Sequence, residues 1–219
     1  MITRLGVKAT ARQPRDTRLV TPSLRRLLPA AGTWYLVGAL EGVEILRQRR
    51  RGTGRSLVTS AADRDPASVR LLTLTWWPAG ILALAEAAAL PRLNASQNWA
   101  RPCLAAGLVV TGTGIALRQG AIHTLGRYFT GHVLVQPGQT VVSAGPYRWL
   151  RHPSYAGQWL EMIGVGLSTG NAAGLATCVL MPLIGITARI RGEERYLIAS
   201  LPGYREYIQG RARLIPHIW

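Results

Sequence analysis

Two clusters in this sequence of 219 residues bring together side chains that can hold and align a small molecule. The first, residues 143–157, reads Ser-Ala-Gly-Pro-Tyr-Arg-Trp-Leu-Arg-His-Pro-Ser-Tyr-Ala-Gly. Gly145-Pro146 sets a turn. His152-Pro153 closes one element and opens a helix, because the residue before proline is pushed out of helical geometry and proline suits a first helical position. Tyr147, Arg151, His152 and Tyr155 therefore gather where a loop enters a helix. The second cluster, residues 189–207, carries Glu193-Glu194 and puts Arg189 and Glu193 on one helical face. A carboxylate there accepts hydrogen bonds from hydroxyl or ammonium groups. An arginine grips an anion through a forked, charge-assisted pair of bonds. Each cluster also has a plainer reading. Arg, Trp and Tyr at such a junction make a membrane-interface belt, and an i,i+4 Arg–Glu pair on a solvated helix end contributes only a few tenths of a kcal/mol.

The elements that must carry these clusters are apolar. Hydrophobic residues make up 48% of the chain and charged residues 16%, yet the formal charge is +16 and the mean hydropathy +0.13. A soluble domain averages about 25% charged residues, and a disordered basic tail is more polar still. The combination points to an all-α, multi-pass membrane bundle of about five helices with its charge in the loops. Five apolar stretches support it: 27–46, 69–90, 102–117, 155–167 and 173–188. Gly107, Gly112 and Gly114 in the third permit close helix approach, and Pro182 is expected to kink the fifth. Residues 189–201 read as a helical extension that Pro202-Gly203 breaks. Cys103 and Cys178 have no metal-ligating neighbour in sequence, so neither a disulfide framework nor a metal site is expected. No nucleic-acid module is recognisable, and the basic residues are scattered among loops.

Residues 1–26 form a basic arm, expected to be poorly ordered or to lie on the membrane surface, with no apolar run of signal-peptide length. Residues 27–117 form an N-terminal helical half, and residues 118–219 a core that holds both clusters. Five crossings put the 47–70 loop, the 118–151 segment and the tail on one side, with 17 basic residues against nine. That side, with the C-terminus, is expected in the cytoplasm. The arm alone runs against the rule.

Glu41, Glu44, Glu86 and Glu161 lie inside apolar stretches, where an acid costs about 2.5–3.5 kcal/mol at mid-bilayer on insertion scales. They are expected to face a polar interior or an interface. Glu161, one turn past the first cluster, is expected in a reaction cavity; Glu41 and Glu44 are candidates to pair with an arginine of a neighbouring helix.

Taken together, the two clusters resemble the isoprenylcysteine carboxyl methyltransferase and phospholipid methyltransferase superfamily of membrane enzymes. The likeness covers residues 125–216: Leu-Gly-Arg-Tyr-Phe-Thr at 125–130, Gly-Pro-Tyr at 145–147, Arg-His-Pro-Ser-Tyr-Ala-Gly at 151–157, Glu-Glu-Arg-Tyr-Leu at 193–197, Gly-Tyr-Arg-Glu-Tyr at 203–207 and Arg-Leu-Ile-Pro at 213–216. The resemblance implies S-adenosyl-L-methionine as methyl donor, bound without a Rossmann fold, and a lipophilic acceptor met in the bilayer. It implies that Gln139, Thr140, Val141, Val142, Tyr147, His152, Pro153, Ser154, Tyr155 and Glu193 line the cofactor pocket and that Arg189 faces the substrate. Gln136 is a looser addition. Arg151 and Glu161 complete the candidate catalytic set. A carboxylate acceptor needs no general base, whereas an amine must shed a proton first; His152, His132, Glu161 and Glu194 are then the candidates. Two other readings stand beside this one: an NADPH-dependent sterol-reductase-like enzyme with a similar Arg-His-Pro-x-Tyr-x-Gly signature, and a non-catalytic membrane protein that binds anionic lipid.

Overall fold

The computed structural model describes residues 21–50, 66–130, 135–216 and 218–219. Most of the basic arm, much of the 47–70 loop, and His132 lie outside the described residues. Five long helices follow one another: α1 (Thr21–Arg50), α2 (Pro66–Ala89), α3 (Gln97–Leu125), α4 (Pro153–Thr169) and α5 (Ala172–Ser200). A four-residue helix, α6 (Tyr204–Tyr207), comes after the Pro202-Gly203 break. No strand occurs among the described residues. By length and composition α2, α3 with its continuation to Tyr128, and α5 can each cross a membrane. α4 is short at 17 residues, and α1 keeps Glu41 and Glu44 within its apolar run.

The helix ends follow local chemistry. Pro153 starts α4 and Gly170, with φ at 61°, ends it. Asn171 then caps α5 by accepting from the Gly174 amide at 2.9 Å. Its Nδ2 donates to Asn94 Oδ1 at 2.7 Å and to the Leu90 carbonyl at 3.1 Å, which ties the α4–α5 turn to the α2–α3 connection. Pro182 lies inside α5, and the helix continues through it.

α3 and α4 run antiparallel, and small residues let their backbones nearly touch. A Cβ on Gly107 would lie 2.6 Å from the Gly164 carbonyl, and one on Gly114 would lie 2.6 Å from the Gly157 carbonyl. Side chains that small are what membrane helices use in place of a hydrophobic driving force. Gly112 meets nothing within 4 Å, so only two of the three glycines singled out from the sequence serve this contact. α2 approaches α5 in the same manner, with Gly185 against the Leu72 backbone and Gly174 against Ala83. Trp34 of α1 covers Gly80 of α2 and meets Trp77 edge-on at 5.5 Å.

The order of helices sends the C-terminal ends of α1, α3 and α5 and the N-terminal ends of α2 and α4 to one end of the bundle. The 135–152 segment and the C-terminal tail close that end. The tail returns to it by backbone pairing: Arg151 N donates to the Ala212 carbonyl at 2.8 Å, and His152 N to the Arg213 carbonyl at 3.1 Å.

Candidate active site

At that closed end the helices and the 135–152 segment enclose a cavity of about 300 Å³. Its wall has a polar loop side and an apolar helix side. Gln139, Thr140, Val141 and Val142 come from the loop, Tyr147 from the turn at 145–148, and Arg151, His152, Ser154 and Tyr155 from the entry to α4. Arg189 and Glu193 come from α5. Ile45 of α1 and Val69 and Leu72 of α2 supply the apolar side. Of the residues expected to bind the cofactor or to act in catalysis, the structure brings together all but two; of the looser candidates, Gln136 and Glu194 do not line the cavity and His132 lies outside the described residues. Pro153 is fully buried behind the wall as the first residue of α4. Glu161 is buried at 3% exposure in the α3–α4 seam, beside Gly114, rather than on the cavity wall. Gln158, one turn nearer the loop, takes the wall position expected of Glu161.

The loop side is held by its own hydrogen bonds. Gln136 N donates to Gln139 Oε1 at 2.9 Å, and Gln136 Nε2 to the Arg127 carbonyl at 2.8 Å. Between them Gly138 turns with φ at 72°, a left-handed backbone that favours glycine. Tyr207 in α6 donates to the Tyr147 carbonyl at 2.8 Å and to the Leu150 carbonyl at 3.2 Å, fixing the turn from above. Burial pushes the Tyr207 hydroxyl up to about 12. Burial, reinforced by Glu193, raises Tyr147 and Tyr204 as well. All three stay neutral phenols at physiological pH, able to donate a hydrogen bond but not to act as bases.

Three charged groupings surround the space. Tyr155 donates to Glu193 Oε2 at 3.0 Å, and Arg189 also interacts with the Tyr155 hydroxyl, so the tyrosine joins the two α5 residues across the cavity. Arg189 is only 2% exposed and donates to Ser68 of α2 at 3.2 Å. A solvated helix end is therefore not its setting. Glu194 faces the other way. Its Oε1 sits 3.2 Å from Arg151 Nη1 and 3.3 Å from His152 Nε2, and its Oε2 accepts from Arg213 Nε at 2.8 Å. The third grouping was not singled out as a site from the sequence. Arg118 of α3 donates through Nη2 to Glu41 Oε2 at 2.7 Å and through Nη1 to Ser154 Oγ at 2.8 Å, with its Nε 2.5 Å from Glu41 Oε1. Glu41 thus has the neighbouring-helix arginine expected for it. Glu44 reaches Arg47 on its own helix at 3.9 Å, and Glu86 accepts from Thr177 at 2.9 Å.

Other wall residues escaped the sequence reading too. Tyr204 lies beyond the Pro-Gly break and returns to the cavity only because α6 folds back. The buried Tyr204 hydroxyl and Gln158 Oε1 have no hydrogen-bond partner among the described residues. Buried polar atoms are almost always paired, so such exceptions call for a ligand or an ordered water. No three of His, Cys, Asp and Glu come together as metal ligands among the described residues.

Residues 105–199 match the model of the isoprenylcysteine carboxyl methyltransferase (ICMT) family. The yeast Saccharomyces cerevisiae protein-S-isoprenylcysteine O-methyltransferase is 33% identical over 109 residues, which is 49% of this chain and 45% of that protein. Cobalt-zinc-cadmium resistance protein CzcN of Cupriavidus metallidurans is 29% identical over 122 residues, 55% of this chain and 53% of its own. YpbQ of Bacillus subtilis is 32% identical over 81 residues, 37% of this chain and 48% of its own. The chain therefore spans about half the length of the curated relatives it matches. The solved structure of the eukaryotic intramembrane Ras methyltransferase ICMT superposes with a TM-score of 0.63 and 24% identity, covering 92% of this chain and 70% of that one. That likeness shows the fold. Residues 105–199 thus match the ICMT family model, within an all-helical fold shared with a solved ICMT.

Proposed function

We propose that this chain is an integral membrane methyltransferase that uses S-adenosyl-L-methionine to methylate a lipophilic acceptor, chiefly the carboxylate of an isoprenylcysteine-like molecule. The observation that carries the reading is the cavity: the two sequence clusters converge on it, the first lying within the segment that matches the family model and the second beginning there. Its volume, about 300 Å³, lies at the lower end of small-molecule sites.

The residues present fit the donor. Glu193 offers carboxylate oxygens to hydroxyl or ammonium groups, and the 139–142 backbone can pair with a base edge. The unpartnered Tyr204 hydroxyl and Gln158 Oε1 mark polar capacity that the fold itself leaves unused. When bound, S-adenosyl-L-methionine supplies an electrophilic methyl on a sulfonium. The chain's own task is to align and to exclude water. Tyr155 fixes Glu193, and Glu194 fixes the Arg151–His152 entry to α4. Arg189 directs an anionic head, and Ile45, Val69 and Leu72 receive apolar substance. A carboxylate nucleophile needs no proton removed, so none of these groups has to act as a base.

Five crossings, with the site and C-terminus on the cytoplasmic face, suit this chemistry because the donor is water-soluble. The bilayer is then both the solvent of the helices and the source of the acceptor, and no nucleic acid takes part.

The test uses the purified full chain in detergent. S-adenosylhomocysteine should raise the unfolding temperature and NADPH should not. Membranes given labelled donor and a panel of prenylated acids, lipid amines and thiols should yield a labelled acid ester, identified by mass. Stabilisation by NADPH alone would replace this reading with the reductase one. Stabilisation by neither, with no labelled product, would leave a non-catalytic lipid-binding protein.

A further inference from the structure

We infer that Arg118 is a second anion-holding group of the acceptor subsite, and that Glu41 and Ser154 are the residues that orient it. The inference rests on the carboxylate reading above and adds residues to it. It starts from a charge that the fold buries at some cost. Arg118 is 8% exposed and Glu41 9% exposed, on helices α3 and α1 whose other buried residues, Glu44 apart, are apolar, small or threonine. A buried ion pair is seldom the most stable filling for such a place; replacing one by apolar residues is often neutral or stabilising. An ionisable side chain at membrane depth that faces a cavity is by default a functional group. Arg118, Glu41 and Ser154 all line the cavity.

The geometry says what the group does. A guanidinium carries five N–H donors in a rigid fork. Arg118 donates hydrogen bonds through Nη2 to Glu41 Oε2 and through Nη1 to Ser154 Oγ, while its Nε lies at ion-pair distance from Glu41 Oε1 without hydrogen-bond geometry. Nη1 and Nη2 each carry a second N–H, and the bonds described for Arg118 leave both uncommitted. Glu41 grips one edge, so the plane cannot rotate. Ser154 belongs to the first turn of α4, between His152 and Tyr155. The free N–H groups are thereby held at a fixed place relative to the residues proposed to bind the methyl donor. A forked donor pair held rigid is suited to a planar carboxylate. Ile45, one turn along α1 from Glu41, starts the apolar wall that would take the rest of the acceptor.

The experiment compares the wild-type chain with Arg118→Gln and with the double variant Arg118→Gln/Glu41→Gln. The double variant removes both charges and leaves no unpaired carboxylate. Stabilisation by S-adenosylhomocysteine reports that each variant is folded and retains its donor site. Two acceptors with the same farnesyl tail are used, one ending in a carboxylate (a farnesylthio acid) and one in a neutral thiol. For the acid, the double variant should show a KM raised at least tenfold with a smaller change in kcat. Its activity on the thiol, relative to the acid, should rise by a similar factor. A general loosening of the site would slow both acceptors alike. A folded double variant with unchanged KM and unchanged acid-to-thiol ratio overturns the role of Arg118 while leaving the methyltransferase reading intact. A wild-type chain that binds S-adenosylhomocysteine but methylates no acid overturns the carboxylate reading and this inference with it.

Discussion

Glu194 and Arg213 lie 2.8 Å apart, 19 residues apart in sequence, and their contact fastens the end of the chain to the middle of the site. The other oxygen of the same carboxylate meets Arg151 and His152, so one buried side chain holds both partners of the backbone pairing between 150–152 and 211–213. Glu194→Gln removes the charge and leaves two guanidinium groups competing for one amide oxygen. Breaking a buried pair costs about 3–5 kcal/mol; Arg213 is 37% exposed on its side chain, which places this case at the low end. The unfolding midpoint should fall by several degrees and affinity for S-adenosylhomocysteine by about tenfold, since His152 and Arg151 lose their anchor. A variant with native melting and native affinity would show that the tail is dispensable to the site.

Gly157 and Gly112 make a matched pair for the packing. A Cβ at Gly157 would sit 2.6 Å from the Gly114 carbonyl and 2.7 Å from the Arg118 amide, both backbone atoms that cannot move aside. Gly157→Ala should destabilise by about 1–3 kcal/mol, the usual cost of overpacking. It should also displace Arg118 and so lower turnover. Gly112→Ala meets nothing and should be neutral or stabilising by up to about 1 kcal/mol, the helix-propensity difference. Thermal melts of both variants in one detergent decide it; equal melting temperatures would contradict the seam.

Much of this was legible in the sequence, for physical reasons that differ by element. The five helices announced themselves because their apolar runs are bounded by residues such as Pro153, Gly170 and Pro202-Gly203, whose backbone restrictions act locally. The loop residues 139–142 and the 151–155 signature reached the cavity because local turns aim them there. Arg118 was not legible as a site residue. It reads as the first residue of a polar connection, whereas α3 continues to Leu125 and buries it. The available signal was spacing: Gly107, Thr111, Gly114 and Arg118 repeat at four, three and four residues, as do Gly157, Glu161, Gly164 and Ser168. Those are the two facing stripes of a helix pair. Read together, they place Glu161 in the seam and not in the cavity. Tyr204 could not be found this way, because its position depends on the tail folding back, which is a long-range event.

Asn171 offers a control at the far end of the bundle. Its side chain caps α5 and bridges to Asn94 and Leu90, remote from every residue of the cavity. Asn171→Ala should cost about 1–2 kcal/mol, from the lost cap and from the unpaired groups left on Asn94. S-adenosylhomocysteine affinity should be unchanged. If affinity fell in step with stability, the two ends would be coupled and the variants at Glu194 and Gly157 would need reinterpretation.

Tyr155 and Glu193 give the most direct measure of the donor site. Tyr155→Phe deletes one hydrogen bond to a carboxylate, and bonds to charged groups contribute about 1.5–3 kcal/mol when buried. The phenyl ring still fills the same volume, so the α4 entry should remain folded. The loss should lower the melting temperature of the ligand-free chain, and, with the Glu193 carboxylate no longer held in place, S-adenosylhomocysteine affinity should drop by tenfold or more. Glu193→Gln should weaken binding further, because it also removes the charge that hydroxyl and ammonium groups would meet. Combining the two separates orientation from contact. If Tyr155 acts only by orienting Glu193, then Tyr155→Phe should have little further effect once Glu193 is Gln, and the two losses should fail to add. Additive losses would mean that the Tyr155 hydroxyl touches the ligand itself or acts through Arg189. Isothermal titration of the four proteins with S-adenosylhomocysteine closes this cycle.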